Sequence, residues 1–155
     1  MVEIPRVILN ADLDEGYCFG CGRNNPIGLK PQFTRDGDTV RTEFTPDRAH
    51  QGWPGLLHGG ILGCLLDEAM SNAAYATGST CLTASMTIRL RQPVKVQVPL
   101  VITGKVTRRG KRLIETTGEI RLKDGTVIAE STAKQFVAEN EAGKVDKVRE
   151  SGTHV

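Results

Sequence analysis

Aromatic residues are scarce in this chain of 155 residues, which contains one Trp, two Tyr and four Phe. Proteins that bind single-stranded nucleic acid stack bases on several aromatic side chains. The formal net charge of +2 is also too small to indicate binding to a phosphate backbone by itself. We therefore expect no nucleic-acid partner.

Long hydrophobic runs are also absent. No stretch approaches the roughly 20 consecutive apolar residues that a membrane-spanning helix needs. Residues 1–16 contain early acidic residues and only a short apolar run, unlike a secretory signal peptide. In a chain without such a leader, the four cysteines are expected to be reduced thiols. The prediction is a cytoplasmic protein with no membrane partner.

The composition otherwise fits one globular domain, since the apolar fraction is 39% and the length allows a sizeable core. Residues 1–28 are dense in turn-forming residues and are predicted to be an irregular segment. Residues 29–138 are predicted to form the single domain. Residues 139–155 have mixed charge and are predicted to be a flexible tail.

The hydrophobic period indicates one helix followed by strands. Helical spacing extends from about Gly60 to Thr77, and Gly78 is predicted to end the helix. Strand patterns occur at residues 29–35, 38–45, 81–92, 99–109, 112–122 and 126–138. One long helix with about six antiparallel strands is an α+β arrangement, in which the helix lies on one face of the sheet.

The predicted helix has two different faces. One is an apolar stripe of Leu62, Leu65, Leu66, Ala69, Ala73 and Ala76. The opposite face combines Asp67 with mostly small residues, namely Gly60, Gly63, Cys64, Ser71 and Ala74. Small residues allow another backbone or a ligand to approach closely. Asp67 is therefore a better functional candidate than an ordinary solvated aspartate.

His58, Gly59 and Gly60 come directly before or at the start of this helix. A helix N-terminus offers unpaired N–H groups to an oxyanion. A carboxylate such as that of Asp67 can activate water or attack an acyl group. The combination favours acyl transfer, although His58 also has a simpler interpretation as an N-cap-like residue that orders the helix start.

Three segments resemble one known family: HGGILGCLLDE at 58–68, LTASMTIRLRQPV at 82–94 and CFGCGRNNPIGL at 18–29. They are similar to hotdog-fold acyl-CoA thioesterases of the PaaI-like, phenylacetate-pathway type. The resemblance implies a long central helix wrapped by a five- to six-stranded antiparallel sheet. It also implies a homodimer, often a dimer of dimers, and an acyl-CoA substrate hydrolysed without a cofactor.

The same resemblance implies roles for individual residues. Gly59 would donate its N–H to the thioester oxygen, and Asp67 would be the general base or the nucleophile. His58 would help to position the carbonyl group. Ser85 would help to hold the attacking water, and Ser71 is the hydroxyl residue one turn beyond the carboxylate.

Other residues are predicted to contact the substrate. Related enzymes place Asn or Gln six residues before the histidine, where this chain has Gly52. The adjacent Gln51 would serve if the loop is shifted. Gly60 and Thr83 are further candidates, and residues 53–57 and 82–88 are predicted to form part of the acyl pocket wall.

Helix geometry adds a constraint that is independent of the resemblance. Gly59 and Asp67 are eight residues apart, roughly 12 Å along a helix that rises about 1.5 Å per residue. The acyl carbon must lie within about 3 Å of both the oxyanion donor and the base or its water. One helix cannot supply both groups, so the site is predicted at an interface between two subunits.

Two further clusters allow competing interpretations. Cys18 and Cys21 have metal-ligand spacing, but structural zinc usually takes four ligands and no second pair follows. We therefore predict no metal, with two turn-packed thiols preferred over a metal shared by two chains. Arg108 and Arg109 are predicted to meet the phosphates of coenzyme A, with a solvated basic turn as the alternative.

The residue spacing argues against one other function and leaves a second one open. A hotdog dehydratase would need a helix glutamate 14 residues after its histidine, but Cys64 stands 14 residues after His50. A non-catalytic acyl-CoA-binding hotdog dimer remains the alternative to a thioesterase. An ion-paired Asp67 pointing away from any pocket would favour that alternative.

Overall fold

One α-helix, one short 3-10 helix and seven strands lie within the described part of the chain, residues 7–9 and 16–140 of a computed structural model. Helix α1 spans Gly59–Ala76, and a short 3-10 helix spans Arg48–His50. The strands are β1 Val7–Leu9, β2 Thr34–Asp36, β3 Thr39–Phe44, β4 Cys81–Leu90, β5 Leu100–Arg109, β6 Leu113–Leu122 and β7 Val127–Asn140.

Six of these strands form an antiparallel sheet in the order β4-β7-β6-β5-β3-β2. Helix α1 packs mainly against β5, β6 and β4. The predicted α+β class and hotdog architecture are confirmed. No helix in the described residues combines the length and apolar character needed to cross a bilayer.

The predicted apolar stripe of α1 forms the centre of the core. Leu65, Leu66 and Ala69 are completely buried, together with Met70 on the same helix. The facing sheet residues are alternate apolar side chains, including Leu100, Ile102 and Ile120. Burying each large apolar side chain contributes roughly 1.5–3 kcal/mol, so this contact is the main source of stability.

The small-residue face of α1 packs against strand β4 of the same chain. A Cβ atom built on Gly63 would lie 3.0 Å from the Ile88 Cδ1 atom. A Cβ atom built on Gly59, one turn earlier, would lie 3.0 Å from the Leu90 Cδ1 atom. This face therefore receives the side chains of β4, which runs antiparallel to the helix.

The first predicted strand, residues 29–35, is much shorter in the structure and begins only at Thr34. Lys30 has a positive φ of 55°, which is incompatible with an extended strand. Pro31 follows and has no N–H to donate to a sheet. Residues 29–33 are consequently a loop. The predicted gap between the first two strands, residues 36–37, lies one residue later in the structure, where Gly37 and Asp38 form the turn.

Both terminal segments differ in part from the prediction. The segment 1–28, predicted to be irregular, includes β1, which pairs in parallel with residues 138–140 at the end of β7. Strand β7 therefore continues two residues into the predicted tail. Neither feature was visible in local periodicity, because the pairing joins chain segments about 130 residues apart. Residues 141–155 lie outside the described residues.

Gly104 of β5 offers a test of how closely the helix and the sheet are packed. A Cβ atom there would lie 2.3 Å from the carbonyl oxygen of the buried Ala69. We expect Gly104→Ala to lower the free energy of unfolding by roughly 3 kcal/mol, because the helix backbone must move. Thr103→Ala, on the opposite face of β5, is the control. Chemical denaturation giving Gly104→Ala wild-type stability would contradict this account.

Candidate active site

The N-terminus of α1 has one backbone donor that the fold leaves free. His58 is the N-cap, and its Nδ1 atom accepts the Gly60 N–H at 2.8 Å. The His58 carbonyl accepts the N–H groups of Ile61 and Leu62, at 3.0 and 3.3 Å. The Gly59 N–H has no acceptor among the described residues. It is therefore available to an oxyanion.

The cap also determines how His58 can act. Since Nδ1 accepts a hydrogen bond, the proton of the neutral ring is on Nε2. His58 thus orders the helix start, as its simpler interpretation predicted, and presents Nε2–H as a donor from an exposed side chain. The Gly60 N–H is taken up by His58, and a contact of Gly60 with the substrate stays a prediction.

A cavity of about 800 Å³ opens at this end of the helix. Its walls are the loop before the helix, the helix start and the segment after β4, including Trp53, Pro54, Leu56, Leu57, Gly59, Leu62, Leu90 and Val94. Gln51 also lines it, and its Oε1 atom accepts the Gly55 N–H at 3.1 Å. Gln51 therefore holds the shape of the loop. Trp53 is 81% exposed at the rim.

Asp67 lies two turns further along the helix, half-buried beside β4. The Thr83 hydroxyl donates to its Oδ1 atom at 2.6 Å. Gln135 Nε2 in turn donates to the Thr83 hydroxyl at 3.4 Å and to the Ser71 hydroxyl at 3.2 Å. This chain of donors orients the carboxylate. Asp67 forms no ion pair within residues 16–138.

Gln135 was missed in the sequence analysis, although it is completely buried behind the candidate carboxylate. It stands in β7 at a position that alternates with the buried Ala129, Ser131 and Ala133. A polar amide at an inward position needs hydrogen-bond partners. That alternation was the available signal, and it points to a polar network under the site.

A bulge in β4 separates the two hydroxyl residues predicted on that strand. The pairing with β7 shifts between Thr83 and Ser85. Thr83 is paired with the buried Gln135, whereas Ser85 is paired with the exposed Lys134. Because cross-strand partners share a face, Ser85 lies on the face away from Asp67 of its own chain. Its role in holding water stays a prediction.

Arg108 and Arg109 lie near the other end of the helix. Arg108 pairs with Glu115 at 3.6 Å, and Arg109 donates to the Ser79 hydroxyl at 3.1 Å. Ser79 comes just after the C-terminal end of α1, about 25 Å from Gly59 at the usual rise per residue. Neither arginine lines the cavity of its own chain, and their contact with coenzyme A phosphates stays a prediction.

Two acidic groups near Asp67 have raised pKa values. Burial, followed by the negative charges of Glu68 and Asp67, raises the pKa of the Cys64 thiol to about 11. Cys64 is thus protonated at neutral pH and is a poor nucleophile. Burial is also the main reason that the pKa of Glu68 lies above its ordinary value. Asp67 remains the only carboxylate of this helix that is held by a hydroxyl donor.

Known proteins resemble the chain in sequence. Residues 54–129 match the family model of the Thioesterase superfamily. Acyl-coenzyme A thioesterase THEM4 of Bos taurus is 26% identical over 131 residues, covering 83% of this chain and 54% of the relative. Human acyl-coenzyme A thioesterase 13 is 31% identical over 94 residues, covering 59% of this chain and 67% of that relative. The chain spans about half the length of the THEM4 relatives it matches.

Solved structures of other proteins have a similar fold. One is a crystal structure described as a thioesterase superfamily protein, with a TM-score of 0.73 and 31% sequence identity. The match covers 79% of this chain and 63% of that one. Because the family model, the human relative and this structure agree, the chain belongs to the thioesterase superfamily.

Proposed function

We propose that this chain hydrolyses acyl-CoA thioesters to a free acid and coenzyme A. The observation that carries the proposal is the free Gly59 N–H at the N-terminus of α1, beside a largely apolar cavity of about 800 Å³. The relatives named as acyl-coenzyme A thioesterases support this substrate class.

The reaction assigns a separate task to each group. The thioester oxygen accepts the Gly59 N–H, which stabilises the negative charge that develops when the carbonyl carbon is attacked. One such preorganised donor contributes about 3–4 kcal/mol. The His58 Nε2–H helps to orient the same carbonyl group. Breaking the C–S bond then releases coenzyme A as a thiolate.

Asp67 acts as the general base or as the nucleophile. As a base, it takes a proton from water while the water oxygen bonds to the acyl carbon, and the proton then passes to the leaving thiolate. As a nucleophile, it forms an acyl anhydride that water cleaves. The Thr83 hydroxyl donates to Oδ1, and Oδ2 accepts no hydrogen bond within residues 16–138, which leaves Oδ2 available to the water or the acyl carbon in either route.

We infer that the active form is a homodimer joined through β4. Within the described residues β4 pairs only with β7, so its other edge is free over ten residues. Leu82 and Leu90 on this strand are 41% and 55% exposed. A long, partly apolar free edge favours pairing with a second chain. Each site would combine Gly59 of one subunit with Asp67 of the other, and a dimer of dimers stays a prediction.

The first test measures thiol release from aromatic and aliphatic acyl-CoAs. We expect wild-type protein to hydrolyse at least one of them and Asp67→Asn to be about 100-fold slower, because the amide cannot accept the proton. Asp38→Asn, an exposed turn residue, is the matched control.

The result separates the two functions that the sequence allows. Equal rates for wild type and Asp67→Asn would remove Asp67 from the mechanism. If wild-type protein binds coenzyme A but hydrolyses no thioester, the chain is a non-catalytic acyl-CoA-binding dimer.

Gly59 allows a test of the backbone donor itself. Proline lacks an N–H but is tolerated at the first position of a helix. The preceding His58 is extended, with φ −66° and ψ 133°, as a residue before proline should be. We expect Gly59→Pro to lower kcat by about 10²–10³.

Gly59→Ala is its control, because it keeps the N–H and makes the same contact with the flexible end of Leu90. Equal losses in the alanine and proline variants would show that the side-chain contact matters and the N–H does not.

Mixing the two inactive variants tests the shared site. In a dimer of one Asp67→Asn chain and one Gly59→Pro chain, one of the two sites is intact. Random exchange makes half of the dimers mixed, so we expect roughly a quarter of wild-type activity to return. Activity that stays at the level of the separate variants after subunit exchange would contradict a site built from two chains.

A further inference from the structure

A loop near the N-terminus places two thiols against the helix residue that follows Asp67. The Cys18 Sγ atom lies 3.8 Å from the Glu68 Oε1 atom. One ligand atom each of Cys18, Cys21 and Glu68 lies within 4.8 Å of the other two. Two sulfurs and a carboxylate oxygen of one chain therefore converge on a single point.

The loop is shaped so that these groups can meet. The Gly22 N–H donates to the Cys18 carbonyl at 2.9 Å, which closes a turn around the two cysteines. A Cβ atom on Gly20 would lie 2.0 Å from the Glu68 Oε1 atom, and one on Gly22 would lie 2.4 Å from the Cys18 nitrogen. Only glycine allows the backbone so close at both positions, so a side chain at either one would separate the ligands.

The cluster contains acidic groups without a cation. Within residues 16–138, no lysine or arginine forms an ion pair with Glu68. A bound divalent cation would supply the missing positive charge.

We propose that Cys18, Cys21 and Glu68 bind one Zn²⁺ ion per chain, with a water molecule as the fourth ligand. Thiolate sulfur and carboxylate oxygen are both zinc ligands, and two sulfurs disfavour Mg²⁺ and Ca²⁺. On binding, each thiol loses its proton to solvent and each sulfur bonds to the metal. The exposure of Cys18 and Cys21 leaves room for the water.

The consequence is structural. The loop contacts α1 at Glu68, one residue after the proposed catalytic carboxylate. Without a metal, the contact between the loop and the helix is a 3.8 Å interaction of the Cys18 thiol with the Glu68 carboxylate. Coordination of zinc by both groups would hold the loop against the helix more strongly. Because all three ligands belong to one chain, the expected stoichiometry is one ion per chain and not one per dimer.

The test measures the metal content of the full chain, purified after growth with added zinc and exhaustive dialysis. We expect about one zinc per chain in the wild type. Cys18→Ser and Glu68→Gln should each weaken zinc binding at least tenfold. Cys81→Ser, which removes a thiol on β4 outside the cluster, is the matched control and should bind zinc like the wild type.

Replacing zinc by cobalt in the wild type provides a second measurement, which does not depend on whether any variant folds. Co²⁺ bound by two thiolates produces a sulfur-to-metal charge-transfer absorption, which we expect at one equivalent of Co²⁺ per chain. Absence of that absorption, or unchanged zinc affinity in Glu68→Gln, would overturn the proposal. One zinc per two chains would overturn it as well, because it indicates a metal shared across a dimer axis.

Discussion

The close contact between α1 and the sheet is the constraint on which the rest of the structure depends. Gly104 lets β5 reach the carbonyl oxygen of Ala69, and Gly63 lets β4 approach the opposite face of the helix. At this separation the Thr83 hydroxyl reaches the Asp67 carboxylate at 2.6 Å. A side chain at Gly104 would push the helix backbone outward, whereas one at Gly63 would meet the flexible end of Ile88. The same packing therefore supplies the apolar core and the orientation of the candidate catalytic group.

The two groups proposed for catalysis, the Gly59 N–H and the Asp67 carboxylate, lie at different points of that helix. Different residues position each of them. At the N-terminus, His58 uses up the neighbouring N–H groups and leaves that of Gly59 free. Two turns later, the Thr83 hydroxyl donates to the Asp67 carboxylate, and the buried Gln135 donates to the Thr83 hydroxyl. Since roughly 12 Å of helix separates the two groups, the fold favours a site that two chains complete together. The free edge of β4 is the surface that suits such a pairing.

Local sequence patterns were sufficient for most of the framework. The helix begins one residue before its predicted start and ends one residue before its predicted end, and β4–β7 lie within a few residues of their predicted bounds. The bounds of helices and strands depend on hydrophobic period and on glycines close by in the sequence, so they can be predicted from local sequence. The loop at residues 29–33 was predicted wrongly as a strand: the positive φ of Lys30 has no marker in the sequence, but Pro31 was a visible signal against a strand. Strand β1 and the bulge before Ser85 were invisible because both depend on pairing with β7.

The sequence by itself determined the fold class, the helix with Asp67 on its small-residue face and the glycine that opens the helix. These properties follow from periodicity and from backbone chemistry that any helix start shares. Only the tertiary structure decided which N–H is free, which hydroxyl holds Asp67 and which third ligand meets Cys18 and Cys21. Glu68 and Gln135 are 47 and 52 residues from Cys21 and Thr83, respectively, and only folding brings such distant residues within bonding distance.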